Sequence, residues 1–183
     1  MKGLVFTEFL EMVESKFSPA MVDDIIDDSD LPSGGAYTAV GTYPHSEMLA
    51  LVQSLSKETR LPVPALVKIF GQHLFGRFVE LYPSFFQNTR NAFDFLDSIE
   101  NYVHIEVRKL YPDAELPTFD TTRSADDRKL VMVYRSRHPF ASLAEGLIEG
   151  CLSHFNEKAQ VEIIDQSAGQ GTQVAFHITR MAA

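Results

Sequence analysis

Val103-His104-Ile105-Glu106-Val107-Arg108-Lys109-Leu110-Tyr111-Pro112 is the stretch at which the chain changes periodicity. Upstream, over 91–110, Ala92, Phe95, Leu96, Ile99, Val103 and Leu110 recur mostly at three- and four-residue steps. That spacing predicts a helix with one apolar face, closed by Tyr111-Pro112. Downstream, 118–122 is β-branched and 129–135 alternates around Leu130-Val131-Met132-Val133-Tyr134, so the period falls to two and a sheet begins. His104 lies on the predicted helix, roughly in line with Phe93 and Val107, where it faces either an apolar cavity or an ordinary core.

Working outward, 3–16 carries Leu4, Val5, Phe9, Leu10, Met12 and Val13 at helical spacing, and Ser18-Pro19 supplies an N-cap and a first-turn proline for a second helix. Asp23-Asp24-Ile25-Ile26-Asp27-Asp28 reads as a solvated face and Leu31-Pro32-Ser33-Gly34-Gly35 as a loop. Ser46 is the expected cap of a helix running to about residue 60, broken by Leu61-Pro62-Val63-Pro64. A longer amphipathic helix is expected over 65–81, a last helix over 141–158, and two strands over 160–165 and 172–179 around Ser167-Ala168-Gly169-Gln170-Gly171. The fold class is α+β within one domain over 1–183: a helical lobe over about 1–62, then a lobe of helix and antiparallel sheet over 63–183.

Composition narrows the function. A formal net charge of −9, with no Lys/Arg cluster of five or more, repels a polyphosphate backbone and excludes nucleic acid as a partner. The lone Cys151 excludes an internal disulfide and a cysteine-rich zinc site. Glu8, Glu11 and Glu14 interrupt what would otherwise resemble a signal-peptide core, and no apolar run reaches the roughly 18 residues of a membrane span. The expected location is cytoplasmic. Fourteen Phe and no Trp suit a large flat apolar ligand, or simply a Phe-rich core.

Histidine is the natural metal ligand here. His45, His73, His154 and His177 read as surface or core residues, and no H-E-x-x-H or C-x-x-C spacing marks a zinc cluster. The context of His104 is different. The 103–112 stretch, Leu116-Pro117 and Tyr134-Arg135-Ser136 resemble the haem nitric oxide/oxygen binding (H-NOX) family. The resemblance runs from Met1-Lys2-Gly3-Leu4-Val5 through Phe70-Gly71-Gln72 to Glu145-Gly146-Leu147-Ile148-Glu149-Gly150. It implies a fold with a helical lobe over a helix-and-sheet lobe and haem b (Fe-protoporphyrin IX) between them. It also implies His104 as the proximal iron ligand, and Pro117, thirteen residues on, as the residue that bends the porphyrin.

The family's Tyr-x-Ser-x-Arg motif anchors the haem propionates. Positions i, i+2 and i+4 of a strand share a face, so two hydroxyls and a guanidinium can converge on two carboxylates. Tyr134 and Ser136 match, but His138 stands in the third place. Either His138 donates to a propionate when protonated, or Arg137 or Arg135 takes the role through a bulge or strand end. Oxygen-binding members place a distal tyrosine nine residues after the motif tyrosine; here that position is Leu143, and the supporting positions are Phe9 and Leu74. Without a donor, a pocket of Val5, Phe9, Leu74, Phe78 and Leu143 implies a sensor of NO and CO that excludes O₂. His73 is an alternative donor only if it turns into the pocket.

The resemblance further implies that NO weakens the bond to His104, that its release lets the lobes rotate, and that a separate protein reads the change. Family partners are a histidine kinase or a cyclic-di-GMP enzyme (diguanylate cyclase or phosphodiesterase). No enzyme activity is expected, since the inferred pocket lacks the acid–base groups a peroxidase needs. The alternative is a haem-free or other-ligand interaction module on the same fold.

Overall fold

The computed structural model describes residues 1–181. Helix α1 (Gly3–Lys16) leads into α2 (Pro19–Asp27), where the Ser18 hydroxyl accepts the Met21 N–H at 3.1 Å, as the Ser-Pro signal predicts. Helix α3 (His45–Thr59) begins before Ser46, so that residue is not its cap. Pro44, with φ already fixed near the helical value, starts the helix without a side-chain cap. Glu47 is instead buried and accepts from the hydroxyls of Tyr37 and Ser33. Arg60, at φ 60°, turns the chain into α4 (Val63–Leu81).

A short 3₁₀ turn (Pro83–Phe86) precedes the segment expected to be one helix over 91–110. That segment is three pieces: α5 (Ala92–Ser98), a π-helical turn (Ile99–Val103) and α6 (His104–Leu110). Asn91 caps α5 by accepting the Asp94 N–H at 2.9 Å. Helix α7 (Ala141–His154) stops short of residue 158, because Asn156 takes a left-handed φ of 53°. The Glu157 N–H then reaches back to Leu152 C=O and the Asn156 N–H to Ser153 C=O, the paired bonds of a Schellman motif.

Strands β1 (Thr118–Arg123), β2 (Lys129–Arg135), β3 (Ala159–Asp165) and β4 (Gln173–Arg180) form one antiparallel sheet in the order β1-β2-β4-β3. The register Leu130↔Ile178, Met132↔Phe176 and Tyr134↔Val174 puts six buried side chains on one face, against α5 and α7. A second core gathers α1, α2, α3 and the first half of α4 around Phe6, Phe9, Leu51 and Leu66. Leu66, Val67, Phe70 and Leu74 belong to this second core while Phe75 belongs to the first, so the cores meet along α4 rather than parting at its first residue.

Helices α4 and α7 cross with their backbones in contact. A Cβ on Gly146 would sit 2.1 Å from Lys68 C=O, and one on Gly71 2.5 Å from Leu143 C=O. Lys68 then reaches Glu145 at 2.7 Å and Glu149 at 2.6 Å, flanking the crossing. Gly146→Ala is expected to destabilise the protein by about 1–3 kcal/mol, because neither backbone can yield without moving a core. Gly76→Ala is expected to stabilise it by roughly 0.5–1 kcal/mol, since Gly76 lies in the interior of α4 with nothing within 4 Å of a built Cβ. Urea denaturation of the two variants beside the parent checks both signs.

Candidate functional site

Between the two cores lies a cavity of about 290 Å³. Leu4 and Val5 of α1, Leu74 and Phe78 of α4, and Phe140 and Leu143 beside or within α7 line it. Val103, His104 and Val107 line it from the π turn and α6, and Leu116 and Pro117 from the loop before β1. Tyr134, Ser136 and His138 complete the lining from the end of β2. Nine of the expected site residues are therefore brought together: His104, Pro117, Tyr134, Ser136, His138, Val5, Leu74, Phe78 and Leu143.

Two are not. Phe9 is fully buried in the helical core, edge-on to Phe70 at 5.3 Å, because the cavity reaches only the first turn of α1 and α4 covers the next. Arg137 is exposed and absent from the lining, since β2 ends at Arg135 and the following turn carries Arg137 outward. Arg135 pairs with Asp120 instead. His73 also lies outside the cavity lining. Its Nε2 sits 3.7 Å from the Glu8 carboxylate, which Arg77 holds at 2.8 Å, as expected for a residue about 100° round the helix from Leu74.

The π turn places His104. On a regular α-helix His104 would lie about 140° round from Ile99, on the flank of the apolar stripe beside Phe93 and Val107. The wider turn, closed by His104 N–H to Ile99 C=O, takes up the surplus residue and returns the imidazole toward the face shared by Ile99, Val103 and Val107. His104 is 8% exposed. Its Nδ1 lies 3.1 Å from Glu100 Oε2, which leaves Nε2 for a ligand in the cavity. The same Glu100 oxygen accepts the Phe119 backbone N–H at 3.1 Å, and Arg108 lies 3.7 Å from the other oxygen. Burial lowers the His104 pKa against the opposing pull of Glu100, so the ring is neutral at neutral pH and competent as a metal ligand.

At the cavity mouth the hydroxyls of Tyr134 and Ser136 serve the backbone of His138. Tyr134 donates to its C=O at 2.9 Å, and Ser136 Oγ accepts its N–H at 3.1 Å. They shape the turn that presents the His138 ring. That ring lies against His45, tilted by 35° with 3.9 Å between centroids, and its Nε2 lies 3.3 Å from Glu115 Oε2. Burial, reinforced by His138, lowers the pKa of His45.

Several residues of the site escaped the sequence reading. Glu100 was legible in principle as an acid four residues before His104. Tyr82 and Tyr111, whose hydroxyls meet at 3.1 Å from the ends of α4 and α6, carried no signal, because nothing in sequence links the two helix ends. The donor set constrains what the cavity can hold. Among the described residues no group of three or more His, Cys, Asp or Glu is placed to cage a metal ion. One neutral imidazole in an apolar slot with a polar mouth suits a metal whose remaining ligands come on a flat apolar carrier with polar edge groups.

Comparison with known proteins agrees. The sequence matches the family described as Haem-NO-binding over residues 2–163. The Fe(II) unliganded H-NOX protein from K. algicida is 40% identical with a TM-score of 0.93, covering 100% of this chain and 98% of that one. The IWP-051-bound H-NOX from Shewanella woodyi in the Fe(II)CO state is 40% identical with a TM-score of 0.83, covering 99% and 95%. The Fe(II)NO form of an H-NOX protein from S. oneidensis, 23% identical over both full chains with a TM-score of 0.91, shares the fold. Among curated proteins none matches.

Burial is also the leading cause of lowered pKa values at His45, His73 and His104, all from an ordinary value of 6.5. The unfolded chain therefore takes up protons near pH 6.5 that the folded chain refuses, so stability is full above that pH and falls as pH drops through it. The urea midpoint is expected to be lower at pH 5.5 than at pH 7.5. His73→Phe, which removes a buried nitrogen with no hydrogen-bond partner outside the cavity, should make that fall shallower.

Proposed function

The chain belongs to the Haem-NO-binding family, and on that premise we propose that it is a haem-based gas sensor: one domain over 1–183 that holds haem b through His104, binds NO and CO, and excludes O₂. The observation that carries this reading is a buried, neutral imidazole on the wall of an apolar cavity, with one ring nitrogen engaged by a carboxylate and the other left for iron.

Bound haem would supply an iron able to take up a diatomic gas, with His104 as the protein ligand that holds it. The protein's own residues account for the rest. His104 is the proximal ligand, and its place at the junction of the π turn and α6 lets the helix give way there. Pro117, lining the cavity from the loop before β1, would lie against the macrocycle. Val5, Leu74, Phe78 and Leu143 form a wall whose side chains carry no hydrogen-bond donor, so they would offer bound oxygen no stabilising hydrogen bond. At the mouth, His138 takes the place of the family's arginine, and Tyr134 and Ser136 hold the turn that carries it. A compact pair of imidazoles beside Glu115 would replace a bidentate fork, and the anchoring of carboxylates would therefore be weaker.

The same wall argues against a peroxidase, which needs distal acid–base groups. No helix among the described residues is long and apolar enough to cross a membrane, which supports a cytoplasmic site of action. The output is a change in the relation of the two lobes when His104 lets go. It acts on a separate histidine kinase or cyclic-di-GMP enzyme that binds the two states with different affinity.

Absorption spectra of the reduced protein test the reading. A Soret band that shifts with NO and with CO, and no stable oxygen complex in air, are expected. A stable oxygen complex would overturn the donor-free wall, and no Soret band after haem supplementation would favour the haem-free module. His104→Gly is expected to lose its iron ligand and to regain one on addition of imidazole; unchanged coordination would show that His104 is the wrong residue.

A further inference from the structure

We propose that Glu100 is the positioning residue for His104: it fixes the ring, strengthens it as a ligand, and ties its movement to strand β1. The inference rests on the haem-sensor reading above. Its ground is a single carboxylate oxygen, Glu100 Oε2, that faces two donors from different parts of the chain. His104 Nδ1 lies 3.1 Å away across the π turn, and the Phe119 backbone N–H lies 3.1 Å away on β1. The side chains of His104 and Glu100 are 10% and 29% exposed, so water competes weakly for the shared bond.

Two consequences follow from that geometry. A carboxylate at Nδ1 selects the tautomer with the proton on that nitrogen, which presents Nε2 to a metal, and it raises the basicity of the ring. The ligand is then a stronger one than an imidazole bonded to a neutral acceptor. The Phe119 bond adds the second consequence. Phe119 lies two residues beyond Pro117, pairs with Tyr134 across the sheet, and places its ring 5.9 Å from that of His104. Displacement of His104 must either break its bond to Glu100 or pull on the start of β1. Glu100 is thus the joint between the proximal ligand and the strand that leads to the cavity mouth.

A purely structural role, a staple between helix and strand, makes a different forecast from a ligand-tuning one, and Glu100→Gln separates them. Glutamine keeps an acceptor for both donors and removes the charge. In the ferrous, haem-loaded protein the iron–histidine stretching band, read by resonance Raman spectroscopy, is expected at lower frequency in Glu100→Gln, with the thermal midpoint unchanged. In Glu100→Ala it should be lower still, with haem loss to an acceptor globin faster by about ten-fold. A band at the parent frequency in Glu100→Gln overturns the proposal, and that variant decides the question even if Glu100→Ala fails to fold. A parent protein that takes up no haem overturns the sensor reading itself, an outcome distinct from a haem-loaded parent whose variants show no shift.

Discussion

At the crossing of α4 and α7 the two backbones meet through Gly71 and Gly146, with no side chain between them. That contact joins the helical core to the sheet core at one line and keeps them from closing elsewhere. Leu66, Val67, Phe70 and Leu74 face one core and Phe75 faces the other, so α4 is a shared wall. Away from the crossing the cores diverge, and the wedge between them is the cavity. Leu143 and Phe140 line that wedge because they sit at the start of α7, where the crossing has already set its direction.

Within the wedge, burial and chemistry pull in opposite directions. A polar ring in an apolar cavity costs stability unless its nitrogens are partnered. His104 meets half of that requirement through Glu100 and leaves the other half to whatever occupies the cavity. The lowered pKa belongs to the same balance: burial outweighs the carboxylate, and the ring stays neutral, the form a metal requires. The mouth is built on another principle. Tyr134 and Ser136 spend their hydrogen bonds on the His138 backbone, so the ring on that turn, not the hydroxyls, is the group left facing His45 and Glu115.

Much of this was legible in sequence. The bounds of α1 and β2 follow from hydrophobic spacing alone, and His104, Pro117, Tyr134 and Ser136 fall on one cavity as the family resemblance implies. The π turn was not legible. Its residues keep enough apolar spacing to pass for an unbroken helix, and only the three-dimensional need to turn His104 inward shows where the surplus residue goes. Phe9 misled for a related reason. Its expected place in the pocket rests on correspondence with a family position, which does not say what the side chain packs against; one turn along from Val5, the neighbour is Phe70 rather than open space. Arg137 was a strand-end argument, and strand ends are where alternation stops carrying information.

How the lobes can move relative to one another depends on which contacts join them at the mouth. Lys2 Nζ bonds Asp113 at 3.0 Å and Thr42 at 2.9 Å and lies 5.5 Å from the Tyr111 ring centroid, so the N-terminus is latched to the loop just after α6. Asp113 is more than half exposed, and solvent leaves an ion pair of that kind with little net strength. The glycine crossing has no such slack, because backbone atoms fill it. On the sensor reading proposed above, a stiff line of contact at one edge and a light latch at the other would let the lobes turn about the crossing. On such a frame a ligand needs only a few kcal/mol of differential binding to change the balance of two arrangements. His104 at the start of α6 and Tyr111 just past its end, under the latch, both line the cavity and would put both ends of one short helix in reach of that change.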